Sequence, residues 1–150
     1  MGRSGYGEWE PETQEDVLAM GRACGALKVA IRGKRGQKLM LDIVRALDAL
    51  PKKELGSDVF EDSCAVCTLG AVAKYRGQTL RDHNPMVYEG EAEEADAKAV
   101  SERMDIAPSL AREVMYENDI PWGSDAERWE SMRNWAISRM RPERRRELGE

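Results

Sequence analysis

A chain of 150 residues, 41% hydrophobic and 34% charged, fits one domain, and a domain of this size buries roughly 70% of the surface its unfolded chain exposes. Three cysteines, an odd number, do not make the disulfide framework of a small secreted protein, so a reducing compartment is expected. The first ten residues hold no stretch able to serve as a signal peptide, and no later run approaches the roughly 20 apolar residues of a membrane span, so the expectation is a soluble, cytoplasmic chain with no membrane partner.

The formal net charge is −5, yet the signs are segregated. Lys28, Arg32, Lys34, Arg35 and Lys38 crowd one stretch, Glu89, Glu91, Glu93, Glu94 and Asp96 another, and Arg139, Arg141, Arg144, Arg145 and Arg146 a third. Such a dipolar surface steers charged partners without making the whole protein resemble a nucleic-acid binder.

Residues 1–12 are Gly-rich and polar, with Tyr6 and Trp9 as aromatic anchors, and read as an N-terminal arm. Thr13 is placed to cap a helix whose first turn carries Glu15 and Asp16, where carboxylates suit the helix dipole. Val17, Met20, Cys24, Leu27 and Ile31 recur at three- and four-residue steps and predict an apolar stripe on a helix over about 14–32. Residues 33–36 interrupt it, and a second stripe of Leu39, Ile43, Ala46, Leu47 and Leu50 runs to Pro51, which cannot continue a helix. Within 52–62 only 55–60 suits a short strand or extended piece. Ser63 is a candidate cap for a third helix over about 64–76, rich in small residues and ended by Gly77.

Residues 78–90 read as a loop, with Asn84-Pro85 as a turn signal. A fourth helix over 91–104 begins with acids and buries Ala95, Ala99 and Val100, and a fifth starts at Pro108, where a missing amide costs nothing, and turns Leu110, Ala111, Val114 and Met115 inward. Ser124 and Glu127 have the residue types of a capping box, opening a sixth helix with Trp129, Met132, Ala136 and Met140 on one face. Arg141-Pro142 closes it, and 142–150 reads as a frayed, charged tail. The fold expected is mainly α, a compact bundle of about five to six helices over 13–141, with room for one short strand pair near 55–61.

Four groups of residues merit weighing as functional. Cys64 and Cys67 form a C-x-x-C, and with Cys24 and the lone His83 they make a zinc set on paper. A second closely spaced ligand pair is missing, and Cys24 falls on an apolar stripe where a cysteine serves as a small hydrophobe, so the preferred reading is buried structural thiols and no metal or cofactor. The basic turn at 33–37, preceded by Lys28 and Arg32, lies beside a helix N-terminus, a place that favours phosphate, nucleotide or nucleic acid. The alternative there is that Lys28 and Arg32 complement the C-terminus of the first helix while Lys34 and Arg35 solvate the turn.

Residues 97–116 carry the apolar spacing of a helix-turn-helix, although Ser109, Arg112, Glu113 and Glu117 would make a poor DNA-reading face. Trp122, Trp129 and Trp135 are candidate partner anchors if exposed and core residues otherwise. Asn118-Asp119 suits a turn held by side-chain to backbone bonds. One histidine and no nucleophile motif leave no catalytic residue to name, so enzyme activity is not expected.

Three stretches together resemble a family of small phage and prophage proteins of uncharacterised function: Arg3-Ser4-Gly5-Tyr6, the run Ala30-Ile31-Arg32-Gly33-Lys34-Arg35-Gly36-Gln37, and Tyr116-Glu117-Asn118-Asp119 followed by Glu127-Arg128-Trp129 and Met132-Arg133-Asn134-Trp135. The resemblance spans nearly the whole chain and brings no catalytic residues with it. It implies an accessory protein of the bacterial host cytoplasm that binds a host protein or complex, blunting a defence or redirecting a host enzyme. The alternatives are a phosphate, nucleotide or nucleic-acid binder, a helix-turn-helix regulator included, and a small zinc or thiol protein. If the arm and the basic turn converge, Arg3, Tyr6, Lys28, Arg32, Lys34, Arg35 and Lys38 form one ligand site.

Overall fold

A computed structural model describes residues 13–62, 65–81 and 92–149, with side chains from residue 97 onward in the last stretch. Among these residues the regular elements are helices: α1 (Gln14–Arg32), α2 (Lys34–Ala49), α3 (Thr68–Tyr75), α4 (Ala92–Met104), α5 (Pro108–Asp119), α6 (Asp125–Arg139) and α7 (Pro142–Glu147). The mainly α architecture agrees with the hydrophobic spacing. The segment expected to offer a strand pair contains a single antiparallel bridge, Glu61 to Val66.

α2 is the central element. Ten of its 16 residues are buried, and it packs against α3 and α6 along its length and against α1 and α7 near its start. A second layer comes from α4 on α5, with α5 also touching α3 and α1. Val100, Met104, Ile106, Leu110 and Val114 all lie in the core, as the spacing in 97–116 requires. The four residues that would read DNA from α5, Ser109, Arg112, Glu113 and Glu117, are half-buried, which gives that reading no open face.

Glycine is required where backbones meet. A Cβ on Gly36 would sit against the Ala30 carbonyl oxygen and 2.6 Å from that of Ile31, so the start of α2 nestles on the end of α1 only because the side chain is absent.

The largest departure concerns α1. Its bounds and its Thr13–Asp16 capping box follow the sequence, but its stripe does not face a core. Among the described residues Ile31 alone is buried on α1, Leu27 and Ala30 pack against the body from outside and Met20 is half-buried, while Val17 is 55% exposed and Cys24 lies in the open. Gly33 alone separates α1 from α2, in an extended conformation. Helices that fold back side by side need a connection of about 2–5 residues, so a helix of 19 residues, roughly 28 Å long, runs off the body instead. Cys24 is accordingly not a core hydrophobe; Cys67 is the buried thiol, and Cys64 lies outside the described residues.

α3 also begins later than expected, at Thr68, and its cap is Cys67, whose sulfur accepts the Gly70 N–H at 3.4 Å; the expected cap Ser63 lies outside the described residues. The tail read as frayed forms α7, with Pro142 in the first turn and an Arg144–Glu147 ion pair at 3.0 Å. Of the residues expected to be buried on α4, Val100 is buried and Ala99 half-buried, while the side chain of Ala95 lies outside the described residues. On α6, Met132, Ala136 and Met140 are buried and Trp129 half-buried.

Asn118 ties the loop before α3 to α5 and α6. Fully buried, its Oδ1 accepts the Thr68 N–H at 3.0 Å and the Thr68 hydroxyl at 2.8 Å, while its Nδ2 donates to the Gly56 carbonyl at 3.0 Å. Its own carbonyl accepts from Arg128 Nε at 2.8 Å, and Arg128 also donates to the Leu55 carbonyl at 3.1 Å and to Asp125 at 2.8 Å. The side-chain to backbone bonding expected of Asn118 is present, but it spans 50 and 62 residues rather than one turn. Asn118→Ala strands several buried polar groups at once and should cost about 3 kcal/mol, whereas Thr68→Val, which loses one hydroxyl bond, should cost about 1 kcal/mol. Urea unfolding followed by tryptophan fluorescence checks the ordering, and equal losses in the two variants would contradict the hub.

Candidate functional site: a basic cleft beside the first helix

Gln37 organises the site. Buried at the first turn of α2, its carboxamide nitrogen donates to the Ile31 carbonyl at 2.8 Å and to the Arg139 carbonyl at 3.0 Å, and its oxygen accepts the Arg141 N–H at 2.7 Å. One side chain thereby satisfies the end of α1, the end of α6 and the start of α7, whose backbone groups have no partner in their own helices. Two turns more than 100 residues apart in sequence are held side by side.

Between them lies a cleft of about 290 Å³, with Lys28 and Arg32 on one wall, Arg139 and Arg141 on the other, and Ile31, Met140 and Ser138 completing it. The Ser138 hydroxyl donates back to the Trp135 carbonyl at 2.6 Å, so the cleft's donors are its cations. Among the described residues no carboxylate stands within 4 Å of these four side chains, whereas Arg35 is paired with Asp105 at 3.1 Å. A second cleft, of about 280 Å³ beside Leu50 and Leu55, sets Lys52 and Lys74 against Glu54, Asp62 and Asp125 and carries no net excess of positive charge.

The basic segment is therefore divided. Lys28 and Arg32 face the cleft, Arg35 is turned to α4's end, and Lys34 and Lys38 are exposed on α2 without lining the cavity. Arg3, Tyr6 and His83 lie outside the described residues. Arg139 and Arg141 were visible as part of a basic C-terminal run but not as members of this site, because only the fold brings them against α1. Gln37 was equally silent: a glutamine one residue past a glycine-flanked turn gives no sign of two partners beyond residue 138.

The three tryptophans occupy half-buried positions on the molecule's edge. Trp122 donates to the Glu117 carbonyl at 2.9 Å, and Trp129 donates to the Leu47 carbonyl at 2.9 Å beneath the Lys53 ammonium, 5.3 Å from its ring. Trp135 has a buried N–H without a hydrogen-bond partner among the described residues, and the Arg139 guanidinium lies 6.0 Å from its ring. Each is committed to the body at its polar edge or by a cation on its face. Among the described residues no three His, Cys, Asp or Glu side chains are grouped to hold a metal ion, and no helix is long and apolar enough to cross a membrane.

No protein-family model matches the chain, and no curated protein or solved structure matches it either.

One carboxyl near the cleft is perturbed. Glu117 is held above the ordinary glutamate value of 4.5, first by burial, then by the charge of Glu113 and a hydrogen bond with its side chain, with Arg139 pulling the other way. The folded state binds this proton more tightly than the unfolded chain does, so the contribution to stability is full below 4.5 and is lost as pH rises through the raised value. Glu117→Gln should melt above the wild type near neutral pH, with the gap closing below 4.5. A gap that widens on acidification, read from melting curves of the two proteins across pH, would refute the assignment.

Proposed function

We propose that the protein is a non-enzymatic binder that acts by protein–protein contact, and that the free length of α1 is the surface it presents. The observation that carries this is the exposure of Leu18 at 56% and Val29 at 72%, on a helix that leaves the body. The two are eleven residues apart, which at 3.6 residues per turn places them within about 20° of each other on the helix wheel. They lie away from Leu27 and Ile31, which face the body, so the chain's own core offers them no cover. Gly21 and Gly25 fall between them with nothing within 4 Å of an added Cβ, leaving a shallow notch flanked by aliphatic side chains.

A helix apolar on more than one side is stable when something covers it. The geometry fits recognition in which a helix lays aliphatic anchors into a groove of a partner protein. The resemblance to small phage and prophage proteins suggests the setting we propose: a macromolecule of a bacterial host, met in its cytoplasm, with inhibition of a defence or takeover of a host enzyme as the outcome. The half-buried face of α5 lends no support to a DNA-reading regulator, and Cys24, exposed on α1, and Cys67, buried before α3, lend none to a zinc protein.

Capture from host lysate with wild-type protein and with a Leu18→Asp/Val29→Asp variant tests the reading. A host protein recovered in stoichiometric amount by the wild type should fall at least about tenfold with the variant, since each buried aliphatic anchor contributes on the order of 2 kcal/mol. Equal recovery by both proteins, or none by either, would refute it; circular dichroism confirms that the variant remains helical.

A further inference from the structure

We infer that the cleft between the last turn of α1 and the α6–α7 turn is a binding site for a small phosphate-bearing molecule, held by Lys28, Arg32, Arg139 and Arg141. The site is independent of the apolar length of α1, and either assignment stands if the other fails.

Four cations line a single cavity, and none of them is within 4 Å of a described carboxylate. Neutralising the helix ends is the competing role for such residues, since Arg32 and Arg139 sit in the last turns of α1 and α6. Each helix C-terminus carries about half a negative charge, so the two together offset about one of the four cations. Glu117, which acts on Arg139, offsets at most one more. The cleft keeps a surplus of about two positive charges, which no further carboxylate among the described residues offsets.

Shape and chemistry narrow the ligand. Guanidinium groups present paired donors that match phosphate oxygens, and three of the four cations are arginines. Gln37 holds the two walls by three hydrogen bonds, so the donors' backbones are set before any ligand arrives. A cavity of about 290 Å³ is at the small end of ligand pockets, which run from about 300 Å³. It suits a pyrophosphate or the phosphates of a nucleotide. A polynucleotide needs a long track of cations, whereas the chain as a whole carries a net charge of −5 and would repel the phosphates beyond the cleft.

The test is calorimetric titration of the full chain with inorganic pyrophosphate, with a single-stranded oligonucleotide as a second arm. Pyrophosphate should bind the wild type, Arg32→Ala/Arg141→Ala should weaken it at least about tenfold, and Arg35→Ala, outside the cleft, should leave it unchanged. Both altered side chains are exposed, and a melting curve verifies the fold of the variant. Amide shifts on the wild type, which need no variant, should move at Lys28, Ile31 and residues 138–141. Absence of pyrophosphate binding, binding indifferent to the double substitution, or shifts scattered away from the cleft would each overturn the assignment. An oligonucleotide that binds more tightly than pyrophosphate, with an affinity falling steeply with salt, would overturn it in favour of a nucleic-acid surface.

Discussion

A single buried carboxamide decides how the two ends of this chain meet. Backbone groups at helix ends cannot be left dry and unpaired, and the turns after α1 and α6 bring such groups into the interior together. Gln37 supplies both kinds of partner, two donations from its nitrogen and one acceptance at its oxygen, from a position that Gly36 lets approach the end of α1 closely. A hydrophobic residue of similar volume would fill the space and leave three polar groups without bonds. The direction in which α1 departs, and the facing of Lys28 and Arg32 towards Arg139 and Arg141, both follow from this contact.

Asn118 plays the corresponding part at the other side of the body, where its four bonds and the Arg128 guanidinium bring Leu55, Gly56 and the start of α3 onto α5 and α6. An ion pair between Asp42 and Arg76, at 2.7 Å, adds a third polar fastening, with Arg76 also donating to the Met104 carbonyl at 2.8 Å. These groups contribute less by net stabilisation than by the cost of disturbing them, because each buried partner left alone is expensive. Apolar burial along α2 drives collapse; the amides and guanidinium groups select which packing is reached.

Local chemistry was legible in the sequence, and distant pairing was not. The capping box at Thr13, Pro108 in a first turn and Ser124 accepting the Glu127 N–H act within four residues, so the bounds of α1, α5 and α6 could be read directly. The start of α3 could not, because the Thr68 amide is spent on Asn118 and the cap is a cysteine, a residue type that gives no capping signal. The stripe on α1 showed which residues are apolar but not whether a body lies beside them. That depended on Gly33 being a connection of one residue, too short for a hairpin. Of the basic cleft, Lys28 and Arg32 were visible as candidates, while Arg139, Arg141 and the glutamine that joins them needed contacts across 102 and 104 residues.

The most direct measurement is hydrogen exchange at the Arg141 amide, which belongs to the N-cap residue of α7, has no bond within that helix, and is bonded only to the Gln37 side chain among the described residues. If Gln37 fastens the two turns, this amide exchanges as slowly as the interior amides of α6, and Gln37→Met releases it to the rate of an open chain while the amides near Asn118 keep their protection. An Arg141 amide that already exchanges at the open-chain rate in the wild type would contradict the fastening, and with it the cleft that the fastening holds together.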